Sequence, residues 1–291
     1  TIETGRLALQ AHGSCTVRYG DTMILATIVQ SSNIRDGIDY FPLMVDFEEK
    51  LYAAGKIKGS RFMKREGRPS DEAILAGRMV DRAIRPLFDE RVRNDVQVVV
   101  TALSVDGEND AAITALIAAS CAISLSPVPW NGPIAAARIG RVGDKFVLNA
   151  TLPQIDAESD LDLVVAGTPE RLLMAEAGAK EVTEADMIEA IKWGSKELEP
   201  VIDLIRKIQA EAGMAKFAVP EKADDIRDVS DDDEEKARLL TRQFVFDHTN
   251  DMIFNTKKVG RKEHYRIADE LKVAAKIYLA DFAILSVSFF L

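Results

Sequence analysis

The chain has 291 residues, 47% of them apolar, with 37 basic against 47 acidic side chains and a formal net charge of −10. That length holds two domains with a sizeable core, the apolar fraction excludes wholesale disorder, and the acidic balance excludes a protein that coats DNA or a membrane non-specifically. A local anion site stays open, because a Debye length of about 8 Å at physiological salt hides distant charges from one another.

The chain opens with strand-like alternation. "RLALQA" (6–11), "CTVRYG" (15–20) and "TMILATIVQ" (22–30) place apolar or β-branched residues at period two, with "YGDT" turning between the last two. "FPLMVDFEEK" (41–50) reads as a further strand of an antiparallel sheet. Next comes "GKIKGSRFMKREGR" (55–68), with six basic side chains against Glu66 alone. "PSDEAILAGRMVDRAIRPLF" (69–88) then predicts a helix capped by Ser70, with Asp71 and Glu72 at its positive end and Pro86 closing it. Ile74, Ala76, Met79, Val80, Ala83, Ile84 and Leu87 form its expected buried face.

"VQVVVTALSVDG" (96–107) reads as a strand buried on both faces. "NDAAITALIAASCAISLS" (109–126) reads as a small-residue helix packed close to the sheet. "GPIAAARIGRVGDKFVLN" (132–149) predicts a hairpin turning at "RVGD", and "DLDLVVAGT" (160–168) and "ERLLMAEAGAKEV" (170–182) two more strands. Residues 183–213 read as helical, with Thr183 and Asp186 resembling a capping box. A domain boundary is expected between Glu211 and Lys222, so that residues 1–215 form the first domain and 216–291 an all-α second one, truncated at its end. The acidic run Asp231–Glu235 reads as a solvated helix start, and "RKEHYRIADELKVAAKIYLA" (261–280) as a helix.

Cys15 and Cys121 lie in apolar runs and read as buried free thiols of a reducing compartment. His12, His248 and His264 show no metal-ligand spacing. No signal-peptide pattern opens the chain, and both ends read as cut. The apolar stretch Phe282–Leu291 is shorter than the about 20 residues a membrane span needs.

Three places can carry chemistry. In the basic segment, Gly55, Gly59 and Gly67 allow close approach to a ligand, the cations supply counter-charge for phosphates, and Phe62 offers a face for a base. A solvated basic loop is the alternative. Asp160 and Asp162, two residues apart in a strand, project to one face and can hold a divalent metal or move a proton, with Asp156 on the preceding loop. Strand-entry acids facing solvent are the alternative there. At the start of the 109–126 helix the "ENDAA" turn places Glu108 and Asp110 where a phosphate would sit, which opposes anion binding. No GxSxG, P-loop or dinucleotide fingerprint occurs.

"YAAGKIKGSRFMKREGRPSDEAILAGRMVDRAIRPLF" (52–88) closely resembles the first RNase PH-like core of the bacterial polynucleotide phosphorylase family, with "NGPIAAARIG" and "LDLVVAGT" following in the expected order. The likeness is strong over residues 1–215 and looser from about 220, where the family has a helical domain. The resemblance implies an α+β fold of the ribosomal protein S5 domain 2 type, β-α-β-α, followed by an all-α domain. It also implies a trimeric cytoplasmic enzyme without a membrane part, which degrades single-stranded RNA from the 3′ end. Inorganic phosphate attacks, Mg²⁺ assists, nucleoside diphosphates leave, and the reaction is reversible. A degradosome scaffold is a further implied partner.

The resemblance places the catalytic centre in the family's second core. That core carries a glycine and serines where this chain has Asn109, Asp110, Ala111 and Ala112, and an Asp and a Lys where it has Asp162 and Val164. No catalytic or metal residue is therefore expected here, Asp162 and Asp160 being the weak candidates. RNA guidance does carry over, to Phe62, Lys64, Arg65 and Arg68, although "GSRFMKREGR" is one residue longer than the usual pattern. Arg78, Asp81, Arg82 and Arg85 read as a structural salt-bridge lattice. A non-enzymatic assembly module is the rival reading.

Overall fold

The computed structural model describes residues 1–34, 38, 40–56, 69–143, 145–219, 231–249 and 261–280. The chain divides into two units, Thr1–Ala223 and Asp224–Leu291.

The first unit opens with β1 (Ile2–Thr4), β2 (Gly13–Tyr19), β3 (Thr22–Ile34) and β4 (Leu43–Glu48), joined by β5 (Asn94–Ser104) into a sheet of order β1-β2-β3-β5-β4. The β2–β3 hairpin turns on Gly20, whose φ of 59° is left-handed and suits glycine. Two expectations change here. "RLALQA" is not a strand: Ala8 takes a φ of 52° and its carbonyl accepts from Ala11 N–H, so the chain turns between β1 and β2. The sheet is mixed, not antiparallel, because β4 pairs parallel with β5. The helix α1 (Asp71–Ile84) makes the crossover such a parallel pair requires.

Ser70 caps α1 as its type predicts, its hydroxyl accepting from Ala73 N–H at 3.0 Å. The helix buries Ala73, Ala76, Gly77, Val80, Ala83 and Ile84, a stripe at spacings of three and four. Ile74, expected in that face, is instead 49% exposed, one step around the helix from the stripe. β5 alternates between buried valines and half-exposed residues, with Gln97 exposed, so one face of its sheet is open rather than both being covered.

The helix α2 (Ala111–Leu125) is buried on nearly all sides between the first sheet and a second one. Its alanines and serines let backbones approach closely. At Gly13 a Cβ would overlap the Ala122 carbonyl oxygen and lie 2.8 Å from Ser126 Cβ, so β2 presses directly on α2. Cys15 on β2 and Cys121 on α2 are both buried free thiols, and Cys15 donates to the Ala118 carbonyl at 3.2 Å.

The second sheet, of order β7-β6-β8-β9, is antiparallel: β6 (Ala135–Val142), β7 (Lys145–Leu148), β8 (Leu161–Gly167) and β9 (Leu172–Ala179). Here β8 is covered on both faces. Val164 and Ala166 join the core around α2, whereas Leu161, Leu163 and Val165 pack against α4 (Glu184–Lys196) and α5 (Glu199–Ala212). The expected single helical run is thus two helices, and Pro200 sits in the first turn of the second. Asp156, expected on the loop before β8, instead lies on α3 (Leu152–Glu158), which starts from a capping box between Thr151 and Gln154. At α4, Thr183 accepts from Asp186 N–H at 3.2 Å, but the Asp186 carboxylate turns to the Thr183 hydroxyl and to Arg141 rather than closing a box.

After α5 the chain runs back along the first unit. Lys216 donates its ammonium to the carbonyls of Ile123, Ser124 and Ser126, at 2.9, 3.2 and 2.7 Å, and so caps the C-terminal end of α2. Burial lowers its pKa to about 8.

In the second unit α6 (Asp231–Thr249) and α7 (Arg261–Ala280) pack through Phe244, Leu271 and Ala275, with Phe244 stacked on Tyr278 at 4.8 Å between ring centroids. Among the described residues no helix is long and apolar enough to cross a membrane. Phe282–Leu291 lies outside the described residues.

Candidate functional site

Phe62, Lys64, Arg65 and Arg68 lie outside the described residues. What is described is the base from which their segment springs. A short 3-10 turn, Leu51–Ala54, ends at Gly55 with a φ of 67°, and Lys56 follows; the chain returns at Pro69 and Ser70. The Ser70 hydroxyl donates to Glu49 at 2.6 Å, which ties the outgoing strand to the returning helix cap. The base of the basic segment is therefore pinned.

Beside that base a groove of about 550 Å³ opens between α1, the N-terminus of α2, β8 and β9. Its back wall holds Asp110, Asp162 and Arg138. Arg138, on β6, donates Nε and Nη2 to the two oxygens of Asp162 at 2.7 and 2.6 Å, and Nη1 to Asp110 at 2.8 Å. The register explains the meeting: β6 and β8 pair Gly140 with Asp162 and Arg138 with Val164, so Arg138 and Asp162 are diagonal neighbours. These bonds raise the Arg138 pKa, the Asp162 hydrogen bond most of all.

Asp110 is also the N-cap of α2, accepting from Ala112 N–H at 2.7 Å. A helix N-terminus offers its free N–H groups to an anion. Here the chain's own carboxylate takes that position, and a guanidinium balances it. The Thr114 hydroxyl is spent on the Asp110 carbonyl at 3.0 Å. The "ENDAA" turn thus opposes phosphate more strongly than its charge alone indicated: the anion position is filled.

Asp160 and Asp162 are not brought together for one task. Arg141 donates to the two oxygens of Asp160 at 2.9 and 2.6 Å and to Asp186 at 2.9 Å. Its hydrogen bonding holds the Asp160 carboxyl below the usual range. With both oxygens of each acid engaged by an arginine, the pair does not fit a divalent-cation site or a proton relay. Asp156 lies on α3 and joins neither acid among the described contacts. Sequence reading missed Arg138 and Arg141. The signal was available: "ARIGR" antiparallel to "DLDL" sets two arginines against two aspartates.

A second hub supports the α2 turn. Asp106 accepts from the N–H groups of Asp21, Glu108 and Asn109, from the Thr22 hydroxyl and from the Asn109 side chain. Burial pushes its carboxyl upward, but these bonds outweigh burial and hold it well below the usual range. On α1, Asp81 pairs with Arg85 at 2.6 Å and Arg82 reaches Glu176 of β9 at 3.3 Å.

Residues 1–129 match domain 1 of the 3′ exoribonuclease family, and residues 132–197 match its domain 2. The chain is 47% identical over 262 residues to a polyribonucleotide nucleotidyltransferase of Heliobacterium modesticaldum, covering 90% of this chain and 35% of that protein. It is 51% identical over 218 residues to the protein of the same name from Exiguobacterium sibiricum, covering 75% and 29%. The chain therefore spans about a third of the length of the curated relatives it matches. A rice Rrp46 crystal structure superposes with a TM-score of 0.59 at 15% identity, over 72% of this chain and 93% of that one, a likeness of fold.

Proposed function

The chain belongs to the 3′ exoribonuclease family, and from that premise we propose that it is the first RNase PH-like core of a polyribonucleotide nucleotidyltransferase, followed by part of an all-α domain. The complete enzyme would degrade RNA from its 3′ end, with inorganic phosphate as attacking group and nucleoside diphosphates as products, and would run in reverse. Mg²⁺ assistance, a cytoplasmic homotrimer and a degradosome scaffold belong to the same proposal. Within that enzyme this core holds RNA rather than cutting it. The observation that carries the division of labour is the closed Asp110–Arg138–Asp162 triad, which fills the anion position at α2 with a protein carboxylate.

The RNA contact is assigned to the basic segment between Glu49 and Ser70, through Phe62, Lys64, Arg65 and Arg68. Its cations would meet phosphates, and Phe62 would stack on a base. Two measurements test this reading. Arg65→Ala with Arg68→Ala weakens binding of single-stranded RNA and lowers the slope of log K against log salt by about 1.4; an unchanged slope removes the basic segment from the RNA site. The purified chain releases no nucleoside diphosphate from poly(A) and phosphate; release would place a working centre in this core.

A further inference from the structure

We propose that Cys15 and Cys121 form a peroxide-sensitive dithiol, which closes to a disulfide between β2 and α2. They are the chain's two cysteines, and the fold brings them to one place. β2 alternates, so Gly13, Cys15 and Val17 turn to α2. α2 meets them with the turn from Ala118 to Ala122. The Ala118 carbonyl accepts from the Cys15 thiol at 3.2 Å, and the Ala122 carbonyl lies against Gly13. A helical side chain leans back over the preceding turn. Cys121 therefore extends over Ala118, where the Cys15 sulfur sits, and the two thiols hydrogen-bond.

The two residues are 2% and 0% exposed. The Cys121 hydrogen bond, and then burial, push the Cys15 thiol above its usual range. A protonated thiol is a poor nucleophile, so the pair responds to sustained rather than brief exposure to oxidant. Hydrogen peroxide, small and uncharged, is the oxidant suited to a buried pair. It converts one thiol to a sulfenic acid: the O–O bond breaks and one water leaves. The second sulfur attacks the sulfenic sulfur, the S–S bond forms, and the hydroxyl leaves with the second thiol's proton as water. Two thiols and one peroxide give one disulfide and two waters. The bond ties the first sheet to α2 and closes a loop of about 100 residues.

The test is treatment of the whole folded chain with excess hydrogen peroxide for hours, followed by alkylation of remaining thiols and peptide mass spectrometry. A linked pair of peptides holding residues 15 and 121, lighter by two hydrogens and released by dithiothreitol, is expected. The treated chain unfolds at a midpoint roughly 4–16 °C higher before dithiothreitol than after it. That comparison sets aside methionine oxidation, which dithiothreitol leaves in place. Cys15→Ala and Cys121→Ala each lose the reversible shift. A bridge between two copies, thiols that survive or oxidise without linking, a bridge that forms only in urea, or a midpoint that dithiothreitol does not lower would each overturn the proposal.

Discussion

Replacing Arg138 by methionine tests the groove's back wall most directly. The side chain makes three charge-assisted bonds, at 2.6, 2.7 and 2.8 Å, and is 18% exposed; its partners Asp110 and Asp162 are 16% and 33% exposed. Methionine keeps the aliphatic stem but leaves two carboxylates facing one groove without a cation. Breaking a buried pair costs about 3–5 kcal/mol, and an exposed one about 0.2–1 kcal/mol. A wall exposed to this intermediate degree places the expected loss at about 2–3 kcal/mol. For a unit of this size that is a fall of roughly 4–12 °C in the unfolding midpoint. Urea unfolding followed by far-UV circular dichroism is the suitable assay, because guanidinium chloride would screen the charges in question. Adding Asp110→Asn and Asp162→Asn to the methionine variant should restore most of the loss, since asparagine still caps α2 and no charge is left unpaired. A single variant within about 0.5 kcal/mol of the parent, or a triple variant no more stable than the single one, would refute the assignment of the wall to ion pairing.

Three further outcomes are expected. Asp106 and Asp160 have folded pKa values below their unfolded ones, so their stabilisation is full above the unfolded pKa, about 3.9, and is lost as pH falls through the folded values; urea midpoints between pH 6 and 2 should fall less steeply in Asp106→Asn with Asp160→Asn. Lys216, lowered by burial from 10.5 to about 8, binds fewer protons folded than unfolded between those values. The parent chain should therefore gain stability relative to Lys216→Met as pH rises through that window, and unfolding curves at pH 7, 8 and 9.5 would show it. Gly13→Ala drives a methyl group into the Ala122 carbonyl and should cost about 1–3 kcal/mol, read by thermal unfolding.

Much of the fold was legible because local chemistry and tertiary packing agree. Ser70 caps α1 through its own hydroxyl, and Gly20 turns the first hairpin through its own backbone. The errors fall where distant partners decide. Nothing within "FPLMVDFEEK" states that β4 will lie parallel to a strand some fifty residues later. Nothing within "RLALQA" states that Ala8 will turn, and its alternation alone resembles a strand. The site shows the same division. The acidic turn at Asp110 was readable as a charge, but its role as internal anion needed the β6–β8 register that delivers Arg138. Asp160 and Asp162 were readable as a pair, and the separate arginines that claim them were not, because pairing across strands is set by the whole sheet.

The bonds of Lys216 bear on where the first unit ends. The last described helix of that unit, α5, stops at Ala212, yet the α2 carbonyls depend on an ammonium four residues beyond it. Met214 and Phe217 N–H groups also donate to the carbonyls of Leu125 and Pro127. A cleavage in residues 213–215 would leave every described strand and helix of the unit intact and still strip the cap from its most buried helix. Limited proteolysis there should therefore loosen the centre of the molecule rather than free a tail, so the stretch that looks like a connector behaves as the final piece of the core.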